Sequence, residues 1–183
     1  MKKLILSLFV IFGLSANAQM YKSKKDGCSI HFLSKSPLED IEAINKSPLA
    51  VFKPETNDLQ FMVVMTDFKF KAALMEEHFN ENYVESTKFP QAIFKGKVNE
   101  KIDLTADGEN KVTVTGKMTL HGVTKDVTAE GTITKKGEDL ILKSIFKIKV
   151  ADYNIKVPSL YVQNIAEIVD VDVNVVMEPF VKK

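Results

Sequence analysis

The sequence predicts an all-β fold, an antiparallel barrel of about eight strands with short helices at its connections. From Lys111 to Met177 apolar and polar residues alternate with a period of two, which marks strands with one buried face. Short turns separate these runs, so successive strands lie antiparallel. A long series of half-apolar strands in one mid-sized domain also needs its edges covered. A closed barrel does this fully, and a two-sheet sandwich, the alternative, only in part.

The first element is not part of the fold. Lys2 and Lys3 precede an apolar run from Leu4 to Leu14, and Ala16-Asn17-Ala18 supplies the small residues of a cleavage site. Residues 1–18 are therefore expected to be a signal peptide cut after Ala18, leaving one domain, residues 19–183, in the periplasm or secreted. The run is shorter than the ~20 residues a membrane helix needs, so no stable membrane insertion is expected once it is removed. Gln19 follows the cut where a lipoprotein would have cysteine.

The next strand, Gly27 to Phe32, carries Cys28, Ile30 and Phe32 on its apolar face and His31 on the other. Cys28 is the only cysteine, so no intramolecular disulfide forms, and its phase makes it a core thiol. Ser36-Pro37-Leu38-Glu39 reads as the start of a short helix through Ile44, with proline and acid in the first turn. Pro54 and Asn57-Asp58 make a turn into a strand from Leu59 to Phe70, apolar on both faces through Phe61–Met65. Ala72 to Asn82 has no glycine or proline. Its spacing predicts a helix with Leu74, Met75 and Phe79 toward the barrel, Glu76, Glu77, Asn80 and Glu81 toward water, and His78 and Asn82 at the border. Phe89-Pro90 ends it, and Ala92 to Val98 returns as a strand.

The last four strands are Lys111 to Leu120, Val123 to Ile133, Leu140 to Val150 and Ile168 to Met177. His121-Gly122 and Lys135–Asp139 turn between the first three. Together they form a meander.

Composition removes several functions. All 25 basic residues are lysines, two of them in the leader, against 24 acids, so the mature chain is close to neutral. Without the bidentate guanidinium fork, and with lysines scattered among acids, no nucleic-acid partner is expected. His31, His78 and His121 share no metal-ligand spacing, so no metal is expected. There is no Gly-x-Ser-x-Gly elbow, no phosphate loop and no histidine suitably placed to activate Cys28. The pairs Glu77/Glu81 and Asp170/Asp172 read as solvated faces, so the chain is expected not to be an enzyme.

Two blocks carry a resemblance. FKFKAALMEEHFNENYVESTKFPQAIFKGKV, Phe68 to Val98, and VTVTGKMTLHGVTKDV, Val112 to Val127, are similar to segments of the YceI-like family, the second more specifically. The resemblance implies a lipocalin-like barrel, periplasmic location, and a long polyisoprenoid or similar amphiphile, such as an isoprenoid quinone or fatty acid, held inside for sequestration or transport. Leu74–Phe79 stands where many relatives have an R-D-x-H-L type segment, so their headgroup recognition is not carried over.

Twelve phenylalanines, no tryptophan and frequent methionine suit a pocket that adapts to a flexible hydrocarbon. The side chains expected in an apolar pocket are Phe68, Phe70, Leu74, Met75, Phe79, Phe94, Met118, Leu120, Phe146, Ile148 and Tyr153, with His78 and Asn82 available to a headgroup. The expected partner is thus a lipid-like small molecule and there is no cofactor beyond it; a homodimer is compatible with the sequence. The competing reading is a barrel filled by these same side chains, whose outer surface docks a protein.

Overall fold

A computed structural model of the chain describes residues 19–35, 40–156 and 166–180. The expected signal peptide lies outside these residues, as do Ser36–Glu39, where the expected first helix would begin.

Among the described residues eleven strands form one antiparallel sheet: β1 (Met20–Ser23), β2 (Ser29–Ser34), β3 (Ile41–Asn45), β4 (Leu49–Lys53), β5 (Asp58–Val64), β6 (Lys69–Phe70), β7 (Gln91–Val98), β8 (Gly108–Leu120), β9 (Val123–Lys136), β10 (Asp139–Lys149) and β11 (Ile168–Phe180). The order β1-β4-β5-β7-β8-β9-β10-β11 closes on itself because β1 also pairs with β11. The result is a barrel of eight staves, three of them broken in two.

β1 and β2 form one stave: Met20–Ser23 pairs with Met177–Phe180 of β11, and Ser29–Leu33 pairs further along the same edge with Asp170–Asn174. Between them the chain bulges through Gly27, whose φ of +84° suits glycine. β3 and β4 form the second stave, and β5 and β6 the third, interrupted by a 3-10 turn at Met65–Asp67.

Ile41–Asn45 is a strand and not the continuation of a helix. Proline and acids open turns as readily as helices, and here β2 and β6 flank the segment and take up its backbone hydrogen bonds. The long strand expected from Leu59 to Phe70 also ends early, at Val64. Met62 and Val64, on its outer face, are half-buried and not covered.

Asn45 holds two of the breaks together. It is fully buried, donates Nδ2–H to the Val64 carbonyl at 2.9 Å, and accepts the Ser47 N–H on Oδ1 at 2.8 Å. Each is a backbone group that a stave break deprives of a ladder partner. Asn45→Leu fills similar space but leaves both groups unpaired. Urea unfolding should show it destabilised by about 2 kcal/mol.

The inward residues of the staves form the core. At the floor Phe52, Leu140, Val175 and Met177 are fully buried, and Ile133 nearly so. Cys28 is buried as expected, and burial pushes its thiol pKa up, which keeps it protonated and unreactive. The four final strands match their expected phases, with β8 paired to β9 from Gly108↔Lys135 to Leu120↔Val123.

Candidate ligand-binding site

Above the packed floor the barrel is hollow. A cavity of about 240 Å³ is walled by inward side chains of β2, β5 and β7 through β11, almost all hydrocarbon. Small residues create the space. Ala92 and Ala129 line it, as do Val112, Val114, Val127 and Val173, where larger residues would close it.

Gly96 and Gly116 face each other across β7 and β8. A Cβ on Gly96 would lie 2.5 Å from the tip of the Phe94 ring, and one on Gly116 2.8 Å from it, so the ring rests over the two glycines. Their lack of side chains seats Phe94 against the wall instead of across the lumen.

The upper end is roofed by α1 (Ala73–His78), which runs into a π-helical turn at Phe79–Tyr83 closed by Val84 N–H donating to the Phe79 carbonyl at 2.9 Å. Phe79 is the hub. Its ring centroid lies 5.5 Å from that of Phe32, 5.7 Å from Phe68 and 5.0 Å from Phe70, distances that suit aromatic pairs. Phe32 also contacts Phe68 and Phe70.

The inward face of this helix is one residue away from the one expected. Glu76 turns back to Lys69, at 2.6 Å, and to the Phe70 N–H, while Asn80 donates to the Glu76 carbonyl. The π turn adds a residue and carries Tyr83 and Val84 inward. Leu74, five residues before Phe79 and so about 140° round the helix from it, faces solvent, 60% exposed, and Asn82 is exposed as well.

Of the side chains expected in the pocket, Phe68, Phe79, Phe94, Met118, Leu120, Phe146 and Ile148 line the cavity. Phe70 stands behind Phe79 in the ring cluster. Met75 is half-buried outside the lining, and Leu74 takes no part. Tyr153 is buried in a 3-10 turn at Val150–Tyr153, where Val150 and nearby Ile155 reach the cavity in its place. Burial, and secondarily Asp152, raise the pKa of its hydroxyl. The headgroup pair is not brought together at the cavity: His78 is half-buried and Asn82 exposed, and neither lines it. Phe32, Phe61, Ala92 and Ala129 line it without having been expected there, although the period-two phase of their strands points them inward.

His121 is a joint rather than a plain turn residue. Its side chain is only 9% exposed; Nδ1 lies 3.0 Å from the Tyr153 carbonyl, Nε2 2.8 Å from the Glu85 carboxylate, and its ring meets Phe89 edge-on. A carbonyl only accepts, so Nδ1 carries a proton. The contact ties the β8–β9 turn, the loop after the π turn and the 3-10 turn before β11 into one rim. Both His121, at φ +49°, and Glu85, at φ +45°, adopt left-handed backbone to make it.

Outer-wall carboxylates are held below their ordinary pKa by lysines. Lys71, and then His31, act on Glu42; Lys69 acts on Glu76, Lys97 on Asp58, and Lys147 on Asp170. A depressed folded-state pKa gives stability that is complete above the ordinary carboxylate range and is lost as pH falls through the lowered value. Melting temperature should therefore drop on acidification below about pH 4. Combining Glu42→Gln with Asp170→Asn should flatten that acid limb in a series of melts from pH 7 to 2.5.

The fold and cavity together define a class, the closed antiparallel barrel of lipocalin-like form with an apolar interior. The YceI-like domain model matches residues 40–177, and the chain belongs to that family. It is 30% identical over 110 residues to Protein YceI of Shigella flexneri, and 29% identical over 110 residues to Protein YceI of Escherichia coli O17:K52:H18. Each match covers 56% of this chain and 54% of the relative, so the chain spans about half the length of the curated relatives it matches. Among solved structures, a polyisoprenoid binding domain from Saccharophagus degradans superposes with a TM-score of 0.74 at 14% identity, over 86% of this chain and 97% of that one. Burkholderia cenocepacia BcnA follows at 0.68 and 20% identity, over 81% and 95%. At these identities the likeness is one of fold.

Proposed function

We propose that this protein is a secreted or periplasmic carrier that holds one slender apolar or amphiphilic chain, of isoprenoid or fatty-acyl type, inside its barrel. The observation that carries the proposal is the hydrocarbon-walled cavity: a barrel built only for stability would close it, since voids destabilise. The polyisoprenoid binding domain of Saccharophagus degradans, with the same fold, supports the same class of ligand. The charged and then apolar N-terminus, ending Ala16-Asn17-Ala18, supports export. The reading assigns the protein no catalysis and no cofactor, and the ligand needs none.

Size narrows the ligand. A cavity of about 150 Å³ holds a benzene, so 240 Å³ takes a chain of roughly ten carbons without rearrangement. At about 0.8 kcal/mol per methylene this gives about 8 kcal/mol of gross burial, with no strong polar contact required. Longer chains must extend past the rim or displace Phe79.

The test is native mass spectrometry of protein purified without detergent, followed by organic extraction. A reproducible amphiphile mass is expected on the wild type, and none on Ala129→Phe, whose ring fills the cavity while the melting temperature holds within a few degrees. A wild type that carries no lipid and takes up none from vesicles overturns the reading.

A further inference from the structure

The wall of the barrel is unpaired between β9 and β10; a second open edge among the described residues, that of β6, has the Phe79 ring packed against its Phe70. β9 and β10 pair from Lys136↔Asp139 to Gly131↔Ser144 and then stop, although β9 runs on to Val123 and β10 to Lys149. Neither strand is frayed. β9 stays paired with β8 as far as Leu120↔Val123, and β10 with β11 as far as Lys149↔Ile168. Only their shared edge is unmade, over eight residues of β9, Val123 to Glu130, or about 26 Å.

The seam is fastened at both ends. At its foot Gly131 lies so close to β10 that a Cβ there would stand 2.3 Å from the Lys143 carbonyl, and the Ser144 hydroxyl donates to the Glu130 carbonyl at 2.7 Å. Ser144 thus satisfies the first β9 carbonyl beyond the ladder. At its head the His121–Tyr153 hydrogen bond joins the β8–β9 turn to the segment after β10. Along its lips the cavity is lined by Val127 and Ala129 on one side and Phe146 and Ile148 on the other. Ile145, beside the foot, is 70% exposed.

From Asp126 to Ala129 the sequence of the lips suits closure. Extending the existing register sets Ala129 opposite Phe146 and Val127 opposite Ile148 on the inside, and Thr128 opposite Lys147 and Asp126 opposite Lys149 on the outside. Inward residues meet inward ones, opposite charges face each other, and neither lip contains proline or glycine. Among the described residues the other routes are worse for a ligand. The floor is fully packed, and the roof is held by three ring contacts of Phe79, with Phe32, Phe68 and Phe70. A natural sheet seldom leaves two complementary edges unpaired side by side.

We propose that this seam is a lateral doorway, through which the hydrocarbon chain of the ligand passes sideways between β9 and β10, the two edges pairing behind it. The proposal rests on the reading of the barrel as a lipid carrier.

The test locks the seam. Thr128→Cys and Lys147→Cys are combined in a Cys28→Ser background, and loading with a dansyl-labelled undecanoic acid is followed by stopped-flow fluorescence. With the disulfide formed, association and release should each slow at least tenfold while affinity changes less than twofold, and reduction should restore both rates. If no disulfide forms, the same slowing is expected after bridging the thiols with a short bis-maleimide. Unchanged rates in the bridged protein overturn the doorway and send the ligand past α1. Failure of both bridges also overturns it, since the edges then never approach. A wild type that does not take the probe at all overturns the carrier reading itself, which the locked and reduced forms would then share.

Discussion

Gly116→Ala should lower stability by about 3 kcal/mol and weaken ligand binding at least tenfold, the upper range for an added core methyl. A Cβ at this position would lie 2.5 Å from the Gly96 Cα, 2.5 Å from the Lys95 carbonyl oxygen and 2.8 Å from the tip of the Phe94 ring. Carbon atoms pack at about 3.5–4.0 Å, so a shift near 1 Å is required. Two of the obstructing atoms are backbone of β7, whose ladder to β8 runs unbroken from Ile93↔Thr119 to Val98↔Val114. The wall cannot yield locally without stretching those hydrogen bonds. The ring can yield, and the space open to it is the cavity. Stability and binding should therefore fall together, read by urea unfolding and by probe titration. Gly108→Ala is the control, for nothing lies within 4 Å of its added carbon. It should change neither quantity.

The second half of the fold was legible because each strand there is long. β8, β9, β10 and β11 have 13, 14, 11 and 13 residues, enough for the period of two to declare itself and to fix which side faces in. The first half was obscure because its staves are broken. β1, β3 and β4 have four, five and five residues, and a run of that length carries too few alternations to separate strand from helix or loop. A helix is expected in place of β3 for this reason: local cap chemistry is visible, whereas the partners that make it a strand, β2 and β6, are set by the closure of the barrel.

The cavity was legible to a different degree. Phe94, Met118 and Phe146 follow from strand phase alone. Leu74 does not, because five residues before Phe79 it sits about 140° round a helix of 3.6 residues per turn, on the outer side. The joint at His121 depends on Glu85 and Tyr153, which lie 36 and 32 residues away, and no local pattern joins them. The doorway has faint local signs in Gly131 and Ser144, but its meaning lies in a missing ladder that only the assembled sheet reveals.

Phe79→Ala should cost about 3 kcal/mol and, more tellingly, detach the roof from the barrel. Removing a buried phenylalanine ring usually costs 3–5 kcal/mol, and partial exposure lowers that figure here, but three ring pairs of about 0.5–1.5 kcal/mol each converge on this one side chain. α1 has little else to keep it folded. It has six residues, no side-chain N-cap and no fully buried residue, and helices so short do not persist alone. Amide exchange across residues 73–84 should accelerate far more than in β8 or β9, whose ladders do not depend on the ring. Binding gives the sharper result. If the roof is only a cover, Phe79→Ala weakens the ligand by no more than the packing that the ring itself supplies, and the seam still sets the rates. Opening the roof instead supplies a second exit, so release should quicken at least tenfold even in the seam-locked protein, where the lateral route is shut. Leu74→Ala, on the same helix but facing water, should alter neither the exchange pattern nor the release rate. The two substitutions together separate the inward ring of the roof from its solvent face.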